Sequence, residues 1–126
     1  MYALKINPTN DVQIVEFPKN EQYEIISTAV GGQIECVHIA IGDSGFDMWV
    51  NEEGTWNDLP YNSMATQLYQ NNAGPSVYIV GSVLISGTVD SRGNSRGLSK
   101  KSVKDIFAQI DSNLTDRAVL ALVKEM

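Results

Sequence analysis

The stretch VYIVGSVLIS, Val77 to Ser86, limits the possible folds more than any other part of the chain. Val77, Ile79, Val83 and Ile85 fall on one of its alternating faces, and Tyr78, Val80 and Leu84 on the other. A strand that is apolar on both faces has to be covered on both. The chain is therefore expected to build a sheet with a packed layer on each side and this strand at its centre.

The remaining segments supply the other strands and the covering layers. Tyr2, Leu4 and Ile6 alternate with Ala3 and Lys5 as in a half-buried strand. The turn formers of Asn7 to Asp11 lead into a second strand, Val12 to Phe17, which is expected to close a hairpin. From Asn20 the period lengthens: Tyr23, Ile26, Ala29 and Val30 share a helical face, and Gly31-Gly32 supplies a stop. Gln33 to Ile41 reads as a strand with Cys36, His38 and Ala40 on one face, and Gly42 to Gly45 turns it back into Phe46 to Val50. After the loop NEEGTWNDLPY, Asn62 is placed to cap a short helix with Met64, Ala65, Leu68 and Tyr69 on one side, which Asn71 to Pro75 ends. Ser99 is an N-cap for a helix with the stripe Val103, Ile106, Phe107 and Ile110.

Asp111-Ser112-Asn113 breaks that helix, and a last one from about Thr115 contains the apolar run AVLALV. Six such residues in a row cannot all face one small core. They are buried either against a second subunit or between two layers of the same domain. The outline is an α+β fold, one domain over residues 1–126, with a mostly antiparallel sheet. Residues 1–98 form the sheet-rich part with two helices, and 99–126 a C-terminal helical pair expected to contact another subunit of a dimer or higher homo-oligomer.

A length of 126 residues suits one domain, and 43% hydrophobic with 19% charged residues suits a folded globular one. The single cysteine, Cys36, forms no internal disulfide. No basic-then-apolar leader is visible, and no apolar run approaches the about 20 residues of a membrane span. The host-cell cytoplasm is the expected compartment, where the Asn113-Leu114-Thr115 glycosylation triplet has no meaning.

The net charge of −6 conceals an asymmetry. Residues 1–89 hold two lysines against ten acids, a sum of −8, and residues 90–126 sum to +2. Nonspecific duplex binding needs an extended basic face and is not expected. A small anion needs less, and the turn VDSRGNSRGLSKK offers Arg92, Asn94, Arg96, Ser99, Lys100 and Lys101. Lys100 and Lys101 stand in the first helical turn, where the macrodipole is already positive. A bound phosphate would reconcile them, collecting free N–H groups, the Ser99 hydroxyl and the flanking cations. Balancing the acidic remainder of the chain as a solvated loop is the other reading. Neither Walker A nor dinucleotide glycine spacing is present.

Trp56, Tyr61 and Asn62 form a second group. An exposed tryptophan beside a tyrosine can stack on a nucleobase; equally, Trp56 can close an edge of the core while Asn62 caps its helix. Cys36 and His38 share a strand face, but the sequence shows no third partner for nucleophilic catalysis and too few ligands for a metal. Glu52, Glu53 and Asp58 read as solvated charge. No enzyme signature, cofactor or metal site is expected.

GGQIECVHI, the asparagine-acid-glycine turn after MWV, the Leu-Pro-x-Asn step before Ala65-Thr66, and the glycine of VYIVGSVLISG followed by the Leu-Ser helix start resemble domain-of-unknown-function family 3846. That family consists of small phage and mobile-element proteins, and the likeness covers roughly residues 30–107. It implies a phage or prophage origin and brings no agreed activity or catalytic residues. In size, outline and basic segment the chain also resembles the Thoeris anti-defence type 1 proteins, small oligomers that sequester cyclic ADP-ribose-type signals.

The expected function is sequestration, without degradation, of a small phosphorylated cyclic nucleotide signal. Phosphates would meet the basic turn and Trp56 or Tyr61 would cover the base. The alternative is an acidic inhibitor that binds a host restriction or CRISPR component directly.

Overall fold

Two hairpins joined by one late strand make the sheet of the computed structural model, which describes residues 1–72, 77–110 and 116–126. In chain order the elements are β1 (Tyr2–Ile6), β2 (Val12–Glu16), α1 (Gln22–Val30), β3 (Ile34–Ile41), β4 (Ser44–Asn51), α2 (Ser63–Asn72), β5 (Val83–Gly87), α3 (Lys100–Ala108) and α4 (Asp116–Val123). The strand order is β2-β1-β5-β4-β3, and every neighbouring pair is antiparallel. The fold is the expected α+β domain with its C-terminal helical pair.

The strand that is apolar on both faces does lie at the centre, and all five residues of β5 are buried. Val83 and Ile85 join Leu4, Ile6, Ile39, Phe46 and Met48 beneath α2, α3 and α4. Leu84 faces the other way and meets Ala3, Phe17 and Ile26 beneath α1. Val83, Leu84 and Ile85 are fully buried, each stabilising the fold by about 1.5–3 kcal/mol relative to exposure.

The strand is shorter than Val77 to Ser86. Gly81 adopts φ 76°, its N–H donates to the Pro60 carbonyl, and Val80 only bridges to Tyr61. A left-handed residue interrupts extended pairing, so Val77 and Tyr78 lie outside the sheet and exposed.

Local signals hold elsewhere. Gly31 closes α1 in the left-handed conformation, with its N–H donated to Ser27 O. The inward face of α1 is Ile25, Ile26, Ala29 and Val30, and Tyr23 points to solvent rather than into the core. In α4, Val123 is buried and Val119 and Leu122 pack on the core, whereas Leu120 and Ala121 face outward. One side of AVLALV is thus packed within the chain, and among the described residues Leu120 and Ala121 stay exposed. Asn71 and Asn72, the start of the expected stop, still belong to α2; its remainder at 73–75, the break at 111–113, the glycosylation triplet and Thr115 lie outside the described residues.

Candidate functional site

The basic turn is a short hairpin built on the C-terminal end of β5. Val89 bridges to Ser95, and Gly93 supplies the reversal with φ 82°. Asp90 organises it: its Oδ1 accepts the N–H of Arg92 at 2.8 Å and of Asn94 at 3.0 Å. These two bonds hold the Asp90 carboxyl below the usual carboxylate range. The turn's own carboxylate therefore takes two of the donors that an external anion would use.

Other atoms of the segment are also engaged. Gln22 clamps Ser95, donating to its carbonyl at 2.9 Å and accepting its N–H at 3.0 Å. Arg96 Nη1 donates to Val89 O at 2.9 Å and Thr88 Oγ1 at 3.3 Å, so this guanidinium buttresses its own hairpin. A Cβ on Gly97 would stand 2.7 Å from Met1 Cβ and 3.0 Å from Tyr2 N. That glycine is needed for close approach to the chain's first strand. Ser99 caps α3 as expected, its Oγ accepting the Ser102 N–H at 3.1 Å. Lys101 pairs with Asp105 at 2.9 Å, and that carboxylate raises the pKa of the ammonium. Arg92 and Lys100 are exposed and free of ion pairs among the described residues.

Trp56, Tyr61 and Asn62 lie at the other end of the sheet. Trp56 is 88% exposed and closes no core edge. Tyr61 packs edge-on to Tyr78, with ring centroids 5.9 Å apart, and both rings are exposed. Asn62 is 0% exposed. Its Nδ2 donates to Ile6 O at 3.0 Å and Gly81 O at 2.9 Å, and its Oδ1 accepts the Ala65 N–H at 3.1 Å. Asn62 is thus a cap and an interior tie, with no side-chain atom left to offer a ligand.

Tyr61 bridges to Val80 ahead of β5, and the basic turn follows its C-terminus. At about 3.3 Å per residue the five-residue strand alone separates the two groups by roughly 17 Å. One chain does not bring its aromatic and basic groups over one small ligand.

The fold assembles a third group. The two-residue turn Gly42-Asp43 pairs Ile41 with Ser44, a register that sets His38 opposite Asp47 and Asp47 opposite Ser86. His38 Nδ1 and Asp47 Oδ1 are 2.6 Å apart; the imidazole is 77% exposed and the carboxylate 3%. Donor atoms of Cys36, His38 and Asp47 all lie within 4.8 Å of one another. Burial, reinforced by the charge and hydrogen bond of Asp47, pushes the Cys36 thiol up to about 12. It is protonated at neutral pH and unsuited to nucleophilic attack. The third partner that Cys36 and His38 lack in the sequence is supplied by the neighbouring strand, because the turn is Gly42-Asp43 and not the longer Gly42 to Gly45 expected from the sequence, which would have set Trp49 opposite His38.

A family model described as "Domain of unknown function (DUF3846)" matches residues 1–111. No curated protein and no solved structure matches the chain. No helix among the described residues is long and apolar enough to cross a membrane.

Proposed function

Given that the chain belongs to the DUF3846 family, a domain of unknown function, we propose from its surface that it is a non-catalytic binding protein whose main contact is with another protein. One observation carries this reading: Trp56, almost fully exposed, shares an end of the sheet with the exposed Tyr61–Tyr78 pair, among the exposed acids Glu52, Glu53 and Asp58. Tryptophan and tyrosine are the residues on which interface energies concentrate, and they do so within a polar rim. An acidic rim favours a basic partner and speeds its approach.

For a protein of phage or mobile-element origin, such a partner is a host restriction or CRISPR component, whose nucleic-acid groove the acidic surface would occupy.

Sequestration of a cyclic ADP-ribose-like signal is the second reading, favoured by the exposed cations of Arg92 and Lys100, which make no ion pair among the described residues. In this version a second subunit supplies the aromatic cover, because the chain's own aromatics are at the far end of the sheet. Asn62 drops out of the ligand set, and Arg92, Asn94, Arg96, Ser99, Lys100 and Lys101 remain.

One set of variants separates the readings. Trp56→Ala and the charge reversals Glu52→Lys, Glu53→Lys and Asp58→Lys are expected to abolish binding and inhibition of the partner nuclease, with Tm unchanged. Arg92→Ala and Lys100→Ala are expected to leave both intact. The opposite pattern, with a thermal shift from a cyclic nucleotide lost in the basic-turn variants, would establish sequestration. A ligand at 100 times its Kd adds about 2.7 kcal/mol.

A further inference from the structure

The face of the sheet opposite α2 and α3 is only partly covered. α1 begins where Gln22 holds Ser95 and ends where Val30 O accepts a bond from Asn51 Nδ2 at 3.1 Å. Among the described residues the corner at the β3 edge beyond it is open, with Ala40 and Gly45 exposed. Cys36, His38 and Asp47 lie on this face next to that corner, Cys36 and His38 on edge strand β3 and Asp47 on β4.

Their chemistry is complementary. A thiol, an imidazole and a carboxylate form a mixed S/N/O donor set, and one donor atom from each already lies within 4.8 Å of the others. In a tetrahedral site with bonds of about 2.0–2.3 Å, donors stand roughly 3.5 Å apart, so small side-chain rotations bring these into range. The Asp47 carboxylate is almost wholly buried, with the His38 imidazole at 2.6 Å and the Cys36 thiol as its hydrogen-bonding neighbours. A buried carboxylate needs a compensating charge. A divalent cation bound by Asp47 and the Cys36 thiolate makes the group neutral overall.

We propose that Cys36, His38 and Asp47 form a site for one thiophilic divalent cation of the zinc class. The three side chains supply three ligands, and the open corner leaves the fourth position to water. On binding, Cys36 gives its S–H proton to solvent, the imidazole binds through a lone pair as the neutral form, and no electrons are transferred. The site adds a property to the protein-binding surface at the other end of the sheet and does not depend on it.

The test uses the full chain stripped of metal and titrated with Co2+ at pH 8. A sulfur-to-cobalt charge-transfer band that saturates at one equivalent and is displaced by Zn2+ is expected. Cys36→Ser should abolish the band. His38→Ala, with its fold checked by circular dichroism because it removes the imidazole bonded to Asp47, should retain thiolate absorption while saturating only at much higher cobalt. Proton release into weak buffer should accompany binding. No charge-transfer band with folded wild-type protein, or Zn2+ retention in equilibrium dialysis equal in wild type and His38→Ala, would overturn the proposal.

Discussion

Replacing Asn62 with alanine would leave the carbonyls of Ile6 and Gly81 without the amide that donates to both, and the Ala65 N–H without its acceptor. A buried polar group left unsatisfied costs about 1–3 kcal/mol, and a lost N-cap typically about 1. The expected outcome is a loss of about 3 kcal/mol and a fall in Tm of roughly 10 °C, read by calorimetry. An unchanged Tm would refute the interior role. The capping half of that role was legible, because an asparagine directly precedes an apolar helical pattern. The other half was not, because Ile6 and Gly81 come near Asn62 only once β1 and the segment before β5 are in place. The same holds for Gly97, whose missing side chain makes room for Met1 and Tyr2 at the far end of the sequence. Asp47 is a different case: a turn over Gly42 to Gly45, as the sequence suggests, would set Trp49 opposite His38, whereas the observed two-residue turn Gly42-Asp43 shifts the register and sets Asp47 there.

Among the elements, α3 was the plainest in the sequence, since a clean apolar stripe and a serine cap specify a helix locally. Val103, Ile106 and Phe107 are buried as that stripe requires. Ser99→Ala removes the acceptor of the Ser102 N–H and is expected to destabilise the protein by about 1 kcal/mol, measured as a shift in urea midpoint with unchanged slope. A larger loss would mean that the hydroxyl does more than cap. β5 was legible as the central strand but not in extent, because hydrophobicity continues through Val77 to Val80 while the backbone turns at Gly81. In α4 the sequence left two ways to bury AVLALV. The structure turns Val119, Leu122 and Val123 inward, with Val119 and Leu122 half-buried, and leaves Leu120 and Ala121 exposed.

At the scale of the whole molecule, charge and chemistry are distributed along β5. The acid-rimmed aromatics lie at its entrance and the basic hairpin at its exit, with Cys36, His38 and Asp47 to the side of it near the exit. Sequence reasoning grouped the first two around one ligand because both carry recognition-type residues, and distance across a fold is not written in composition. The strand order also has a consequence in time. β1 and β4 are both made before β5, yet each reaches the central sheet only by pairing with it, and Leu98 N–H then closes on Tyr2 O at 2.7 Å. Chains stalled on the ribosome are expected to stay protease-sensitive until β5 and the covering helix α3, residues through 108, have emerged, then gain resistance abruptly. Gradual resistance from the first hairpin onward would refute this. Until that moment the two hairpins are separate, partly apolar ribbons, so the growing chain spends most of its synthesis with its stickiest surfaces uncovered.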